Sequence, residues 1–536
     1  MCGIAVYVSL NPTANTRSAV KLLEARGPEG NRLVEVSNML TFGFTRLAIN
    51  GLTEGGMQPF KKGSVTWMCN GEIYNSKELN ASLGIDSAGS DCYCIGDLYL
   101  RHKDDLATFA RSLDGVFALA IYDSESDKLI LARDPYGIRP LYKASCNYTG
   151  LAFASEVKAF IPGYTNVWHV LPGTVEVYDV NSMRLVQTIQ YHTVPWITNP
   201  TLTLPTAIDS VRAALLTAVE KRLLTDRPVA ALLSGGLDSS LIASMVQRSL
   251  TQLGKPPLKT FSIGFKGSSD LKHARLVADY IGSDHNEIVM TPDQFFEAIP
   301  EVIKAIESYD TTTVRASVGN YLIAKEIRKL TDCKVVFNGD GADELLGGYL
   351  YFRSAPNDAA FHAETGRLLE DIHMFDVLRS DRSISSNGLE ARTPFLDKQF
   401  VAVVRSLPPS LLRPDGKIEK SILREAFKNG WLPEEVLMRR KEAFSDGVSS
   451  PEKAWFQEIQ ERVSKCIPHD WTKHTFNNDH LMPRTPEEYY YRAHFNNFYP
   501  HATKVNVPYR WMPKWSPETT DPSARTLNVY NQASSP

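Results

Sequence analysis

The sequence predicts an α/β chain of more than one domain: stacked sheets covered by helices (αββα) first, then a parallel sheet with crossover helices. Three observations carry this expectation. At 536 residues the chain exceeds what one hydrophobic core supports. Its early part reads as short strands cut by Gly, Asp and Asn, and after a break rich in Pro and Thr, strand, loop and helix alternate.

The early strands are "LTFGFTRLAIN", "VTWMCNGEIYN", "GVFALAIYD", "KLILARD" and "LAFASE", each rich in β-branched or aromatic residues. Helical stretches fall between them, from Ser18 to Ala25 and from Asp91 to His102. "TVPWITNPTLTLPT", with Pro195, Pro200 and Pro205, marks the break. Beyond it "PVAALL" has the texture of a buried strand and "SSLIASMVQRSL" has helical spacing. "LKTFSIGF", a helix from Leu271 to Ile281, and "HNEIVM" follow, then "CKVV" ending in a Gly-rich turn. The expected bounds are a first domain over 2–195, a linker over 196–206, a second domain over 207–505, and a tail over 506–536. The tail's Pro, Ser and Thr content suits a segment that wraps the surface or is disordered.

Composition excludes several classes of function. Apolar residues at 43% and charged residues at 22% are ordinary for a globular protein. A net charge of −3 leaves no footprint for nucleic acid or an anionic membrane. No apolar run approaches the roughly 18 residues of a membrane span. The N-terminus lacks the basic region of a signal peptide. The seven scattered cysteines suit reduced thiols in a cytoplasmic compartment. Cys92 and Cys94 form a C-x-C without the second pair or nearby His that a zinc site needs.

"LLSGGLDSS" is the most informative stretch. An apolar strand ends at Leu233, Ser234, Gly235 and Gly236 turn the chain, and Asp238, Ser239 and Ser240 open a helix. Glycines bring backbone N–H groups close to a ligand, and a helix start carries about half a positive charge. Phosphate fits such a place, although G-x-x-x-x-G-K-[ST] is absent. Asp238 would repel a bare phosphate, so a magnesium ion between them is the natural expectation. The alternative is a plain strand-to-helix turn capped by Asp238.

"FNGDGADELLGGY" is a second Gly-rich turn, with Asp340, Asp343 and Glu344 beside Gly339 and Gly341. Open α/β sheets bind ligands at such strand ends, although a solvated acidic turn would read the same. "MRRKEAFSDG" adds Arg439, Arg440 and Lys441, either a solvated basic face or charge for a leaving group.

The chain starts "MCGI". With Met1 removed, Cys2 would carry both a thiol and a free α-amino group. "MCGI", "NGEIYN", "GSD" and "RDPYGIRPLY" resemble the class II glutamine amidotransferases, which are N-terminal nucleophile hydrolases. "SGGLDSS" is similar to the pyrophosphate loop of the N-type ATP pyrophosphatases. In this order, with "YDTTTVRAS", "GYLYFRSAPN", "NGLEARTPFLDK" and "RRKEAFSDGV", they resemble the glutamine-dependent asparagine synthetase family from Met1 to about Tyr499.

The resemblance implies an N-terminal nucleophile hydrolase fold followed by an ATP pyrophosphatase fold. Cys2 would attack the side-chain amide of glutamine. A thiol with pKa of about 8.5 is only a few per cent ionised at neutral pH, and an α-amino group with pKa of about 8 can take its proton. Asn70 and Gly71 would supply the oxyanion donors. Arg46, with Leu47, Ala48, Ile49 and Asn50 in the same stretch, would bind glutamine, and Arg46 would pair with its carboxylate. Glu72 and Asp91 would hold its ammonium. An apolar tunnel would carry ammonia to the second site.

There, aspartate would attack the α-phosphate of ATP, giving β-aspartyl-AMP and pyrophosphate, and ammonia would displace AMP to make asparagine. Leu232, Ser234, Gly235, Gly236, Asp238, Ser239, Ile263, Asn338, Gly339 and Lys441 would hold the nucleotide. Asp238 and Asp343 would coordinate Mg2+, and Arg315, Glu344 and Arg392 would contact aspartate or shape its pocket. A homodimer is carried as an expectation without a residue signature.

The sequence departs from the family in three places. "HRGPD" reads "ARGPE", with Ala25 and Glu29. The usual His before "RL" is missing, and Phe44 and Thr45 stand there. "SGEGSDE" reads "NGDGADE", so Asp340 stands where the family has the Glu that resembles a proton acceptor for ammonia, with an arm one methylene shorter. Two further readings stay open: the same scaffold acting on another carboxylate, and a relative that binds ATP without turnover.

Overall fold

The computed structural model describes residues 1–86, 89–146, 150–416, 418–450, 453–476, 479–502, 504–528 and 530. The N-terminal part holds two six-stranded antiparallel sheets. In spatial order the first runs Asn166–His169, Tyr142–Cys146, Gly150–Ala154, Gly3–Ser9, Leu40–Thr45, Asn31–Ser37. The second runs Arg184–Gln190, Thr174–Asp179, Lys128–Arg133, Gly115–Asp123, Val65–Ile73, Phe60–Lys62.

The sheets face each other through Ile4, Val6, Phe42 and Phe44 on one side and Met68, Ala118, Ala120 and Leu131 on the other. Alternate residues then turn outward. Ala5 and Tyr7 pack with Ala19 and Leu23 around the helix Pro12–Leu22, and Trp67 and Cys69 pack on the helices Cys94–His102 and Leu106–Ser112. This is the four-layer αββα arrangement, and its period-2 burial forces the helices onto both outer faces. The first helix runs Pro12–Leu22 rather than from Ser18 to Ala25, because Pro12 fits the first helical position and the chain turns before Arg26.

The strand Gly3–Ser9 lies centrally, paired with Leu40–Thr45 on one side and Gly150–Ala154 on the other. Cys2 therefore projects from the end of a strand fixed on both flanks.

The helix Leu204–Lys221 starts inside the stretch read as linker, with Pro205 in its first turn. Five parallel strands follow, in the order Asp284–Met290, Lys259–Phe265, Val229–Leu232, Val335–Phe337, Glu390–Arg392. Strand order runs outward in both directions from Val229–Leu232. The neighbouring pair Val229–Leu232 and Val335–Phe337 therefore forms the topological switch point, where open α/β sheets bind ligands. Both Gly-rich turns leave the carboxyl ends of these two strands.

One apolar cluster crosses between the domains, joining Leu47, Ile49, Tyr74 and Ile138 to Leu233, Leu237 and Phe337. Beside it Arg26, fully buried, pairs with Glu156 at 2.9 Å and Asp381 at 2.8 Å, and Arg382 pairs with Glu156 and Glu307. Burying these charges is tolerable because each carries an opposite partner.

The described part of the tail lies against the second domain. Within 506–528, Val507 and Leu527 are each 2% exposed, and Tyr509, Arg510 and Lys514 are tied to Asp371, Glu488 and Glu364. Trp511 and Trp515 pack against Tyr351. Aromatic side chains among the prolines give this segment enough apolar surface to dock. Residues 531–536 lie outside the described ones. Among the described residues no helix is long and apolar enough to cross a membrane.

Candidate active sites

The loop after Val229–Leu232 is shaped by Ser234 and Ser239, whose hydroxyls lie 3.0 Å apart and bridge the turn into the helix Leu237–Gln252. Gly235 has φ +71°, and a Cβ there would stand 2.5 Å from the backbone of His273 and Ala274. Its part is to make the turn against the helix Ser269–Ile281. Leu232, Ser234, Gly236, Asp238, Ser239, Ile263, Asn338, Gly339 and Lys441 all line one cavity. The two Gly-rich turns meet across it: a Cβ on Gly339 would stand 2.9 Å from Ser239 N and from Asp238 Cβ. Gly339 is thus required by the close approach of two backbones.

Asp238 and Asp343 face each other from these turns. Lys420, 2% exposed, bridges them with its ammonium, and Lys441 Nζ lies 2.6 Å from Asp343 Oδ2. Burial would raise the Asp343 carboxyl, but the two lysines overcome this and hold it down at about 2. Asp238 Oδ1 is buried and has no hydrogen-bond partner among the described residues. Two carboxylates, one with an unused oxygen, can hold a hard cation that takes its other ligands from phosphate and water. Of the basic triplet only Lys441 reaches this pair; Arg439 is bound to Asp270 and Glu442. Sequence reasoning missed Lys420, because an isolated Lys in "GKIEKS" carries no pattern.

Asp340 also faces the cavity. Its Oδ2 accepts from Asn338 Nδ2 at 2.8 Å, and its Oδ1 accepts from Arg379 Nη2 at 3.1 Å. The short arm is therefore held at both oxygens. Arg379, also unsignalled by the sequence, is itself fixed by Asp376 at 2.6 Å. Glu344 accepts from Tyr349 Oη, and burial followed by repulsion from Asp376 pushes its carboxyl well up.

Arg315 lines the same cavity but Arg392 does not. Arg392 is 1% exposed, bonded to Glu390 and to the carbonyls of Arg222 and Leu224, with Nη2 3.3 Å from Glu72 Oε2. The expected acceptor contact for Arg392 is corrected: its strand, at the sheet edge, holds the guanidinium away from that cavity, between partners of its own domain and Glu72 of the N-terminal domain.

In the N-terminal domain Cys2 Sγ points at Leu47 O, 3.6 Å away, and Arg26 Nε donates to Cys2 O at 2.9 Å. Met1 is buried, and its amine donates to Leu389 O at 3.1 Å. Burial pushes the Cys2 thiol up to about 11, against the pull of the Met1 amine, which burial brings down to about 5. With Met1 attached the thiol is therefore poorly ionised.

Both side-chain atoms of Asn70, Nδ2 and Oδ1, are buried without a hydrogen-bond partner among the described residues. An orphaned amide is costly and suits a donor waiting for an oxyanion. Gly71 is fixed by packing, since a Cβ would stand 2.1 Å from Val116 O. Arg46 donates to Thr53 O at 2.8 Å and to Gly51 O, which clamps the loop beside it.

Asn50 donates to Glu72, and Asp91 accepts from Ile73 N at 2.7 Å. Burial raises both carboxyls: Glu72 well up, with Glu390 adding to it, and Asp91 to about 6, partly offset by the Ile73 N–H. Such a pair gains from a bound cation. Ala48 N donates to Glu29 Oε2 at 2.8 Å, and Glu29 Oε1 pairs with Arg227 at 3.0 Å. The longer Glu29 thus spans from the Leu47–Ala48 segment to the second domain.

A profile of the asparagine synthase family matches residues 210–360 and 353–526, and one of the glutamine amidotransferase domain matches 1–202. The asparagine synthetase [glutamine-hydrolyzing] of Gallus gallus is 40% identical, covering 99% of this chain and 100% of the relative. That of Homo sapiens is 41% identical with the same coverage. A glutamine phosphoribosylpyrophosphate amidotransferase structure from B. subtilis overlaps loosely, with TM-score 0.32 and 20% identity over 48% of this chain and 65% of that one. With relatives matched from end to end and both family profiles in order along it, the chain belongs to the glutamine-hydrolysing asparagine synthetase family.

Proposed function

We propose that this protein makes asparagine from aspartate, with ATP activating the acceptor and glutamine supplying ammonia. The observation that carries the reading is the pairing, in one cavity, of a phosphate-ready loop at the sheet's switch point with Asp238 and Asp343 balanced by two lysines. The reading assigns a second set, Asn70, Gly71, Arg46, Glu72 and Asp91, to Cys2.

Removal of Met1 gives Cys2 its own α-amino group, which takes the thiol proton. The sulfur adds to the amide carbon of glutamine, and Asn70 Nδ2 and the Gly71 N–H receive the oxyanion. Ammonia leaves, and water releases glutamate from the thioester. Arg46 pairs with the glutamine carboxylate; Glu72 and Asp91 hold its ammonium.

In the second site the β-carboxylate of aspartate attacks the α-phosphorus of ATP, and the bond to the β-phosphate breaks. Leu232 and Ile263 flank the nucleotide, and the N–H groups of the 234–239 loop receive phosphate oxygens. Asp238 and Asp343 fit Mg2+, which when bound neutralises charge on the leaving pyrophosphate. Lys441 supplies further positive charge. Ammonia then adds to the activated carbonyl, AMP departs, and a carboxylate oxygen of Asp340 takes the surplus proton. Arg315 and Glu344 stand as the groups that meet aspartate. The reading includes an apolar path for ammonia, a cytoplasmic location and a homodimer.

The test is product analysis with aspartate, ATP, Mg2+ and glutamine. Asparagine, AMP, pyrophosphate and glutamate are expected together. Pyrophosphate release that responds to a different carboxylate and not to aspartate would replace this reading with another acceptor on the same scaffold.

A further inference from the structure

Arg315 sits near the start of the helix Thr311–Leu330, 4% exposed, with both edges of its guanidinium occupied. Nε and Nη2 donate to Glu487 at 2.8 and 2.7 Å. Nη1 and Nη2 donate to Asp521 Oδ1 and Oδ2, each at 2.8 Å. Four of the five donors of this arginine are thereby taken, all by carboxylates. One cation between two anions leaves a net negative cluster, a poor welcome for an anionic acceptor.

Asp521 belongs to the C-terminal segment, not to the sheet domain's frame. Pro522, Ser523, Ala524 and Leu527, which follow it, form part of the wall of the nucleotide cavity. Besides the apolar packing of Leu527, polar contacts hold the segment there. Gln460 Nε2 donates to Asp521 Oδ2 at 3.0 Å, Ser523 Oγ to Asp446 Oδ1 at 3.1 Å, and Arg525 Nη2 pairs with Glu442 Oε1 at 3.0 Å. Glu442 adjoins Lys441, so a shift of the segment would be felt at both the acceptor and the phosphate ends.

We propose that Asp521 competes with the acceptor's own carboxylate for the Nη1/Nη2 edge of Arg315, and that the C-terminal segment must release this edge for aspartate to bind. This rests on the reading that Arg315 belongs to the acceptor pocket. The two ligands are chemically alike: a side-chain carboxylate of an aspartate residue in one case, a carboxylate of free aspartate in the other. The Nη1/Nη2 edge makes a two-point contact with such a group, as it does here with Asp521. A tethered group acts at an effective concentration on the order of millimolar, enough to set the apparent affinity for a free amino acid. Glu487, bound on the other edge, keeps the guanidinium plane fixed while the partners exchange.

The test uses the full-length protein with Asp521→Asn, assayed for asparagine formation from ammonia at saturating ATP and Mg2+. The KM for aspartate should fall about tenfold, the value of one charge-assisted contact, with kcat little changed. In parallel, hydrogen exchange in residues 507–528 of the unaltered protein should quicken when aspartate is added. An unchanged or raised KM, or exchange that slows or stays constant, overturns the proposal and makes the segment a fixed wall. If Asp521→Asn does not fold, the exchange measurement decides alone. Absence of aspartate-dependent pyrophosphate release from the unaltered protein would instead overturn the acceptor reading and this proposal together.

Discussion

Arg392, on the edge strand of the parallel sheet, stands 3.3 Å from Glu72 of the N-terminal domain, both almost fully buried. With Arg139, it offsets a carboxylate that burial pushes well up and that Glu390 and Asp91 push further. Arg392→Leu should therefore leave Glu72 and Glu390 buried without it and cost about 3–5 kcal/mol in denaturant unfolding. In the folded fraction the KM for glutamine should change more than the KM for aspartate. The reverse order would return Arg392 to the acceptor pocket.

Asn70 offers a different signature. Its amide has no partner among the described residues, so Asn70→Ala removes an unsatisfied group and should leave the melting temperature within a few degrees. Glutamine-dependent turnover should nevertheless fall about 10²–10³-fold, as when one oxyanion donor is lost. Synthesis from added ammonia should persist. Equal loss of both activities would show that Asn70 acts on the fold.

Asp340 is held through Asn338 and Arg379, which makes its charge and position specific. Asp340→Asn should cut asparagine formation from ammonia by about 10²-fold or more, within the range for a proton-transfer group. Aspartate-dependent pyrophosphate release should survive, because activation precedes ammonia attack. Loss of both steps would place Asp340 in nucleotide binding.

The domain junction carries a pH dependence. His169 and His373, one from each domain, meet edge to face at 5.0 Å beside Arg133. Burial first, then Arg133, brings His169 down to about 3; burial, then His169, brings His373 well down. Both folded values lie below the unfolded 6.5. Their neutral packing thus stabilises fully above that value and is lost as pH falls toward the folded value. Asp91, raised to about 6, acts in the opposite sense over part of this window. The clean measurement is a difference: the stability gap between unaltered protein and His169→Gln should shrink from pH 7 to pH 4. A constant gap would contradict the assignment.

Much of this architecture was legible because it rests on local pattern. Period-2 strands with Gly and Asn breaks announce stacked sheets, and "LLSGGLDSS" and "FNGDGADE" announce two strand ends that the fold brings into contact at Gly339. What stayed hidden depends on distance in the chain. Lys420 and Arg379 gain meaning only from Asp238, Asp343 and Asp340, which tertiary packing supplies. Arg392 is not legible as a junction residue because its motif fixes the backbone, while the edge-strand position sets the guanidinium between its own domain's carbonyls and Glu72. The tail's Pro, Ser and Thr content does not decide between a segment that wraps the surface and a disordered one; the packing of Trp511, Trp515 and Leu527 gives it a docking face.

The most direct measurement follows nitrogen. With glutamine labelled in its side-chain amide, plus aspartate, ATP and Mg2+, asparagine should carry the label, formed one for one with AMP and pyrophosphate, and Cys2→Ala should lose that label while free ammonia still serves. Unlabelled or absent asparagine from the unaltered protein, or labelled asparagine from Cys2→Ala, would contradict that transfer.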